Sequence, residues 1–268
     1  MRLEVDLWLE KPAKIPINYQ YHISRALYKN MLLFAKEFTR SLHDIGYAFG
    51  GKAFRMFTFS MLRIRDKEPA DGGRSILVKS RRISFYVSTP SKDMYDLLEM
   101  SFMHYKAFEI GGTVFRSGGT IGYSDMEFGR SGRFYTISPV VISKRWREKE
   151  AKGRRLRETY LDPRDGEYFA FLKRNAERKY IAFRAEMGDS VLETEMELKW
   201  NGLSGFALLS KPQSKLITLK EGMPGETKVR GYNFEFELAG APKLLSFVHA
   251  AGLGKLNSMG FGCVEGVE

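Results

Sequence analysis

Cysteine and histidine are scarce in this chain of 268 residues. The one cysteine, Cys263, excludes an internal disulfide and any zinc site built from cysteines. The four histidines, at positions 22, 43, 104 and 249, have neither H-E-x-x-H nor H-x-x-x-H spacing. We therefore expect no structural metal and no cofactor.

Long hydrophobic segments are also missing. No stretch approaches the ~20 apolar residues that a membrane span requires. Residues 1–10 alternate in polarity and carry charges where a signal peptide would be apolar. We expect a soluble, cytoplasmic protein without a membrane partner.

Acidic residues are outnumbered by basic ones. The 43 Lys and Arg against 32 Asp and Glu give a net charge of +11, which suits a polyanionic partner. Residues 144–157 hold eight basic and two acidic residues and lack the apolar stripe of a membrane-surface helix. Such a run is often only a solvated face. We favour RNA or DNA as its partner, with contacts from Lys144, Arg145, Arg147, Arg154, Arg155 and Arg157.

Glycine is concentrated in residues 252–262. Glycines free the backbone to adopt positive φ and to approach an anion closely, and neighbouring polar side chains supply hydrogen-bond donors. The order of helix, loop and strand differs from that of nucleotide P-loops and dinucleotide folds, and a plain turn is the alternative. We expect contacts with nucleic-acid phosphates from Gly252, Gly254, Lys255, Asn257, Ser258, Gly260 and Gly262.

Hydrophobic periodicity divides the chain into two similar series. The first is a strand at 2–9, a helix at 19–39, strands at 54–65 and 83–89, a helix at 91–105, and strands at 107–110 and 113–116. The second is a strand at 133–143, a helix at 166–179, strands at 193–200, 214–220 and 227–238, a helix at 242–251 and a strand at 261–267. We predict an α+β fold of two tandem ferredoxin-like (RRM-like, βαββαβ) domains, at 1–125 and 130–268.

Five segments of the chain resemble the repeat-processing endoribonucleases of the RAMP superfamily of CRISPR-associated proteins. They are GLGKLNSMGFG at 252–262, IPINYQYHISRALY at 15–28, SLHD at 41–44, FTFS at 57–60 and YTISPVVI at 135–142. The resemblance implies tandem ferredoxin-like domains and metal-independent cleavage of CRISPR repeat RNA. It also implies products with a 2′,3′-cyclic phosphate and a 5′-hydroxyl. Subunits of a CRISPR effector complex are further candidate partners, and we expect a monomer or a homodimer.

Metal-independent RNA cleavage requires a base, an acid and a cation near the phosphate. Histidine can act as both base and acid near neutral pH, and the resemblance points to His43, with His22 as the alternative. His43 could instead only hydrogen-bond the end of its helix. The resemblance also implies Tyr28, which could equally be part of the core. Lys52 is our candidate for the cation, and Arg55 is its alternative. The other two histidines lie in predicted helices, where we expect them to be structural.

Two other functions fit the sequence. The first is a RAMP subunit that binds RNA without cleaving it. The second is an RNA-recognition module whose aromatic side chains stack on bases. Phe57, Phe59, Phe85 and Tyr86 are candidates for stacking, but these strands also need aromatic residues for the core. Alternation places Phe57 and Phe59 on the same face, so core packing is the favoured explanation.

Overall fold

The computed structural model describes residues 1–150 and 153–267, with the side chains of all of these except 147–150 and 153–157. The helices of this part are α1 (Gln20–Phe34), α2 (Lys36–Asp44), α3 (Lys92–His104), α4 (Tyr168–Glu186), α5 (Val191–Asn201) and α6 (Pro242–Ala251). The strands of the first half are β1 (Arg2–Trp8), β2 (Ala13–Pro16), β3 (Tyr47–Phe49), β4 (Lys52–Phe54), β5 (Thr58–Phe59), β6 (Lys67–Ala70), β7 (Ser75–Val78), β8 (Arg82–Ser88), β9 (Ala107–Ile110) and β10 (Thr113–Tyr123). Those of the second half are β11 (Ser131–Thr136), β12 (Ser143–Glu150), β13 (Gly153–Tyr160), β14 (Gly205–Leu208), β15 (Gln213–Leu219), β16 (Thr227–Asn233), β17 (Glu235–Ala239) and β18 (Val264–Val267). None of the helices found in this described part is long and apolar enough to cross a membrane.

The first sheet is antiparallel, with the strand order β5-β8-β1-β10-β9. Side chains alternate between the two faces of a strand, and Leu3, Val5 and Leu7 of β1 are buried in the core. Helices α1 and α3 pack together, and α3 contacts β1 and β10. In chain order, β1, α1, β5, β8, α3 and β10 form the predicted β-α-β-β-α-β unit.

The second sheet repeats this arrangement with the order β14-β17-β11-β18. If the four strands of each β-α-β-β-α-β unit are numbered along the chain, both sheets have the same spatial order, 2-3-1-4. The hairpins β12–β13 and β15–β16 are inserted into the second unit. The predicted α+β fold with tandem ferredoxin-like domains is confirmed, whereas the predicted boundary between residues 125 and 130 stays a prediction.

The predicted strand at 193–200 is wrong, because these residues belong to α5. The sequence from Glu193 to Trp200 alternates polar and less polar residues, which is typical of a strand. However, the Ser190 hydroxyl accepts a hydrogen bond from the Glu193 N–H at 3.4 Å and caps the helix. The buried positions Thr194 and Leu198 then lie one turn apart on the same face.

The predicted single helix at 19–39 is two helices in the structure, α1 and α2. Ala35 has φ −134° and ψ 77°, which ends α1 and starts α2 in a new direction. The predicted strand at 54–65 is reduced to the two residues of β5 and an isolated bridge at Arg63. The chain therefore passes from α1 through α2 and the small β3–β4 hairpin before it enters the sheet.

Buried polar contacts join the two units. Nη1 of Arg2 donates to Oε2 of Glu265 at 2.6 Å, and Nη2 donates to the Val264 carbonyl at 2.7 Å. The Thr58 hydroxyl donates to the Phe261 carbonyl at 2.9 Å. These contacts hold β18 and the loop before it against the first sheet.

Candidate functional site

A cleft of about 780 Å³ lies between the two units. One wall comes from α1, α2 and β4, and it includes Tyr28, His43, Lys52 and Arg55. The other wall comes from the start of β12, from α4 and from the loop at 254–259. The sequence analysis named five candidates for catalysis. Four of them line this one cleft, whereas His22 does not.

The break in the first helical segment brings Tyr28 and His43 together. In one continuous helix, residues 15 positions apart would be about 22 Å apart along the axis. Because the chain turns at Ala35, the two rings meet edge to face, with centroids 5.2 Å apart and an interplanar angle of 88°. Tyr28 also contacts the buried Phe57 ring at 5.6 Å, which anchors it to the core.

His43 lies in the last turn of α2 with 64% of its side chain exposed. Its Nδ1 is 2.8 Å from Oδ1 of Asp44. A carboxylate can only accept a hydrogen bond, so Nδ1 carries a proton and a neutral ring has its lone pair on Nε2. The side chain of Arg55 donates to the His43 backbone carbonyl at 2.6 Å. The geometry thus orients His43 as a group that can accept a proton at Nε2.

The hydroxyl of Tyr28 is protected from ionisation. Burial raises the pKa of Tyr28, while Ser258 and the positive charge of Arg55 counter part of this rise. Tyr28 therefore keeps its proton at neutral pH and can donate a hydrogen bond. The contact with Ser258 also connects the first unit to the glycine-rich loop of the second.

Positive charges converge on Lys52. Burial lowers the pKa of Lys52, and the charges of Lys255, Arg178, Arg174 and Arg145 lower it further. Cations that repel one another in a cleft favour the binding of a polyanion, since its charge relieves the repulsion. Arg55 is closer to the Tyr28–His43 pair, whereas Lys52 lies among the other cations of the cleft.

The glycines of the loop allow it to fold tightly on itself. Gly252, Gly254, Gly260 and Gly262 have φ between +69° and +81°, as the sequence predicts. A Cβ on Gly262 would collide with the Leu253 carbonyl oxygen. The N–H groups of Gly252, Gly260 and Gly262 already donate to carbonyls of the protein. These glycines therefore shape the loop, and their contact with RNA stays a prediction.

The side-chain amide of Asn257 forms its hydrogen bonds within the protein. Its amide nitrogen donates to the carbonyls of Leu253 at 2.9 Å and Phe261 at 3.0 Å. Its amide oxygen accepts from Nζ of Lys179 at 3.0 Å, and Lys179 also donates to the Gly252 carbonyl. Both amide hydrogens donate within the protein, so Asn257 stabilises the loop, and its contact with a phosphate stays a prediction.

Two family descriptions match the chain. "CRISPR associated protein Cas6, C-terminal" covers residues 124–266, and "CRISPR-associated protein Cas6, N-terminal" covers residues 14–117. The chain belongs to the Cas6 family. The RAMP resemblance seen in the sequence is therefore confirmed.

Full-length relatives agree with membership in the Cas6 family. The CRISPR-associated endoribonuclease Cas6 1 of Methanocaldococcus jannaschii is 24% identical over 278 residues, which is 100% of this chain and 93% of the relative. The endoribonuclease-like protein Cas6nc of Pyrococcus horikoshii is 25% identical, with 100% of both chains covered. The solved structure of a Cas6-related gene product from Pyrococcus furiosus has a TM-score of 0.78 at 22% identity, covering 100% of this chain and 98% of that one. At that identity the likeness shows the fold.

Residues 144–150 and 153–157 of the basic segment lie in β12 and β13, which pair with each other in this Cas6 fold. Residues 151–152 lie outside the described residues. Arg145 lines the cleft, and Lys144 forms an ion pair with the exposed Glu167. The side chains of Arg147, Arg154, Arg155 and Arg157 lie outside the described residues. The segment is thus attached to the cleft through its first residues.

A carboxylate lies among the cations at the base of this hairpin. Glu158 is 3.1 Å from Nζ of Lys255 and 3.6 Å from Nε of Arg145, and it accepts from the Ser143 hydroxyl. Burial alone would raise the pKa of Glu158, but the hydrogen bonds from Ser143 and Lys255 outweigh it and lower the pKa. Glu158 therefore stays ionised and holds Lys255 beside the cleft.

Sequence reasoning missed the contribution of α4 to the cleft. Arg174, Asn175, Arg178 and Lys179 line it. Arg174 and Arg178 are four positions apart, so they lie on one face of the helix. That spacing inside the predicted helix at 166–179 is the signal that could have found them.

The structure also places His22 and the stacking candidates. His22 lines a separate cavity with Arg25, Lys29 and His104, so it lies on another face of α1 from Tyr28. The candidate stacking residues Phe57, Phe59 and Phe85 are fully buried in the core. Tyr86, the fourth stacking candidate, is only partly buried and lies beside Arg2 and Arg63. Stacking on Tyr86 and a role of His22 in cleavage stay predictions.

Proposed function

We propose that this member of the Cas6 family is a metal-independent endoribonuclease that cleaves CRISPR repeat RNA. The observation that carries the proposal is the edge-to-face pair of Tyr28 and His43 in a cleft lined with cations. Relatives of the chain are named as CRISPR-associated endoribonucleases. A cationic cleft suits RNA phosphates, and a histidine inside it suits proton transfer near neutral pH.

In the proposed reaction, Nε2 of His43 takes the proton of a ribose 2′-hydroxyl. The 2′-oxygen then bonds to the adjacent phosphorus, and the bond from phosphorus to the 5′-oxygen breaks. A water molecule supplies the proton to the leaving 5′-oxygen, and His43 returns the proton it took to solvent, so the products carry a 2′,3′-cyclic phosphate and a 5′-hydroxyl. Asp44 orients the His43 ring through its contact with Nδ1.

Tyr28 and the nearby cations act on the phosphate in this proposal. Tyr28 keeps its proton and donates a hydrogen bond to a phosphate oxygen or to the attacking hydroxyl. The Arg55 guanidinium, which is held beside His43, stabilises the negative charge that develops on the phosphorus oxygens. Lys52 binds a neighbouring phosphate together with the α4 arginines.

The bound RNA extends from the cleft across the loop and the β12–β13 hairpin in this proposal. Lys255 and Ser258 contribute contacts from the loop, and Arg145 contributes one from the hairpin. Further contacts come from Lys144, Arg147, Arg154, Arg155 and Arg157, as the sequence indicates. Phosphate contacts of this kind position the RNA without selecting its sequence.

The test is cleavage of the cognate repeat by His43→Ala, with His22→Ala as the matched control. Removal of one acid or base group costs about 10²–10⁴-fold in rate, so we expect that loss in His43→Ala while RNA affinity is retained. The control histidine lines a different cavity, and its variant is expected to cleave normally. Wild-type protein in excess EDTA is expected to keep its full rate.

Three results would overturn the proposal. Wild-type protein that binds the repeat without cutting it would identify a binding-only RAMP subunit. Full activity in His43→Ala would remove His43 from the reaction. A 5′ fragment that ends in a linear 3′-phosphate, without a cyclic form at early times, would exclude attack by the 2′-hydroxyl.

A further inference from the structure

A second cavity, of about 320 Å³, adjoins the cleft. Tyr21 of α1 and Tyr160 of β13 both line it. Beneath them is a small hydrophobic cluster that is separate from the main core and consists of Val141, Ile217, Leu219, Val229 and Phe261. The cavity is therefore a pocket with aromatic walls and an apolar floor.

Four residues line both the cleft and this pocket, namely Arg145, Lys255, Leu256 and Met259. The two spaces are thus neighbours on either side of a thin wall. A polymer chain whose phosphate sits in the cleft can place the next residue of its chain in the pocket. Lys255, Leu256 and Met259 belong to the glycine-rich loop, and Arg145 belongs to β12. The loop also supplies Ser258 to the Tyr28 hydroxyl.

Leu256 is unusual in both conformation and exposure. Its φ of +62° and ψ of 31° lie in the left-handed region, which a branched residue rarely adopts. Its side chain is nevertheless 40% exposed, so burial in the protein does not explain its place. Backbone strain that packing does not require is common where a ligand is held.

The residues that line the pocket include three cations, Arg145, Lys220 and Lys255, and one carboxylate, Glu158, which pairs with Lys255. Nζ of Lys220 is 5.8 Å from the centre of the Tyr21 ring, and Arg145 and Lys255 stand on the side of the cleft. The Tyr160 hydroxyl donates to the Lys228 carbonyl at 3.2 Å, which fixes the orientation of its ring. Aromatic faces with cations at the rim match a flat base flanked by phosphates.

We propose that this pocket receives one unstacked nucleobase of the RNA, within a nucleotide or two of the phosphate that is cleaved. This inference rests on the proposed function, since it takes RNA as the ligand of the cleft. Tyr21 and Tyr160 hold the base by stacking, and Leu256 covers its free edge. The pocket thus sets where along the strand the reacting phosphate lies.

The test measures the affinity of RNAs that lack one base. Each repeat RNA carries a 2′-deoxynucleotide at the cleavage position, which prevents cutting, and an abasic nucleotide at one position in turn. Stacking of one base on an aromatic side chain changes affinity about tenfold. We expect wild-type protein to lose about tenfold in affinity at one position near the cleavage site.

The pocket variants are Tyr21→Leu and Leu256→Gly. In both variants we expect the abasic RNA for that position to bind about as well as the intact RNA. Leu256→Gly places glycine in a conformation that glycine favours, so this variant retains its fold. The control is Tyr135→Leu, which removes an exposed tyrosine of β11 and is expected to show the wild-type profile.

Identical abasic profiles for wild type and both pocket variants would overturn the inference. A wild-type profile without any sensitive position near the cleavage site would do the same. Neither result affects the proposed function, which is measured separately as cleavage of unmodified repeat RNA by wild-type protein.

Discussion

Lys179 gives the sharpest prediction about stability, because it is a lysine with only 2% of its surface exposed. It donates to the Gly252 carbonyl and to the amide oxygen of Asn257, so it holds the glycine-rich loop. Burial lowers the pKa of Lys179 from 10.5 to about 7. At pH 8 to 10 the folded protein therefore carries a neutral amine at this position, while the unfolded chain carries an ammonium.

The sign of the pH dependence follows from proton binding. Between pH 7 and 10.5 the unfolded state binds more protons than the folded state, so the free energy of unfolding rises with pH. Each pKa unit corresponds to 1.36 kcal/mol, and the shift from 10.5 to about 7 gives at most about 5 kcal/mol over the whole interval. Below pH 7 the amine is charged in both states and the contribution of Lys179 is constant.

The measurement compares wild type with Lys179→Met by denaturant unfolding at pH 7, 8, 9 and 10. Other titrating groups affect both proteins and cancel in the difference. Methionine leaves two acceptors unpaired, so the variant is less stable, and we expect its deficit to grow by up to about 1.4 kcal/mol per pH unit. A deficit that stays constant across this range would show that the folded protein does not lower the pKa of Lys179.

Three further predictions test the cleft, the loop and the contact between the units. Arg174→Ala combined with Arg178→Ala should reduce the slope of log K against log salt by about 1.4 for single-stranded RNA, since each lost contact removes about 0.7; an unchanged slope would exclude both from RNA binding. Gly260→Ala should lower the free energy of unfolding by at least about 2 kcal/mol, because its φ is +81° and a Cβ would collide with a buried ring; a stable variant would contradict this. Glu265→Gln should cost about 3 kcal/mol at pH 7, because the buried Arg2 loses its ionised partner. Burial tends to raise the pKa of Glu265, but His249 and Arg2 outweigh this effect and lower the pKa. The stabilisation by ionised Glu265 is therefore complete above about pH 4.5 and is lost as the pH falls further. Glu265→Gln should lack this loss of stability in acid.

The sequence predicted the order of elements well where patterns were local. The strand β1 and the helix α3 with its Ser91 cap lie close to the predicted positions. The strand predicted at 193–200 is wrong because period-two alternation competes there with the S-x-x-E pattern at Ser190 and Glu193. That pattern indicates the start of a helix. The helix cap at Ser190 is also a local sequence signal, so α5 could have been predicted from the sequence.

The cleft could be predicted only in part. His43 and Tyr28 were selected by resemblance, but their contact depends on the break at Ala35, where neither glycine nor proline marks a turn. The positive φ values of the loop glycines were predicted correctly. The partners of the loop could not be predicted, because the Val141 carbonyl and the Lys179 amine come from distant parts of the chain.

The ion pair between Arg2 and Glu265 joins residues 263 positions apart. Bringing such distant residues together costs chain entropy, and the ion pair offsets this cost only once it has formed. Contacts of this kind therefore form late in folding. Each of the two main sheets takes all its strands from its own half of the chain, so its strand pairing does not require the other half. The cleft exists only after docking, because its two walls come from different halves. During refolding from denaturant, RNA binding should therefore return in a slower kinetic phase than the far-ultraviolet circular dichroism signal.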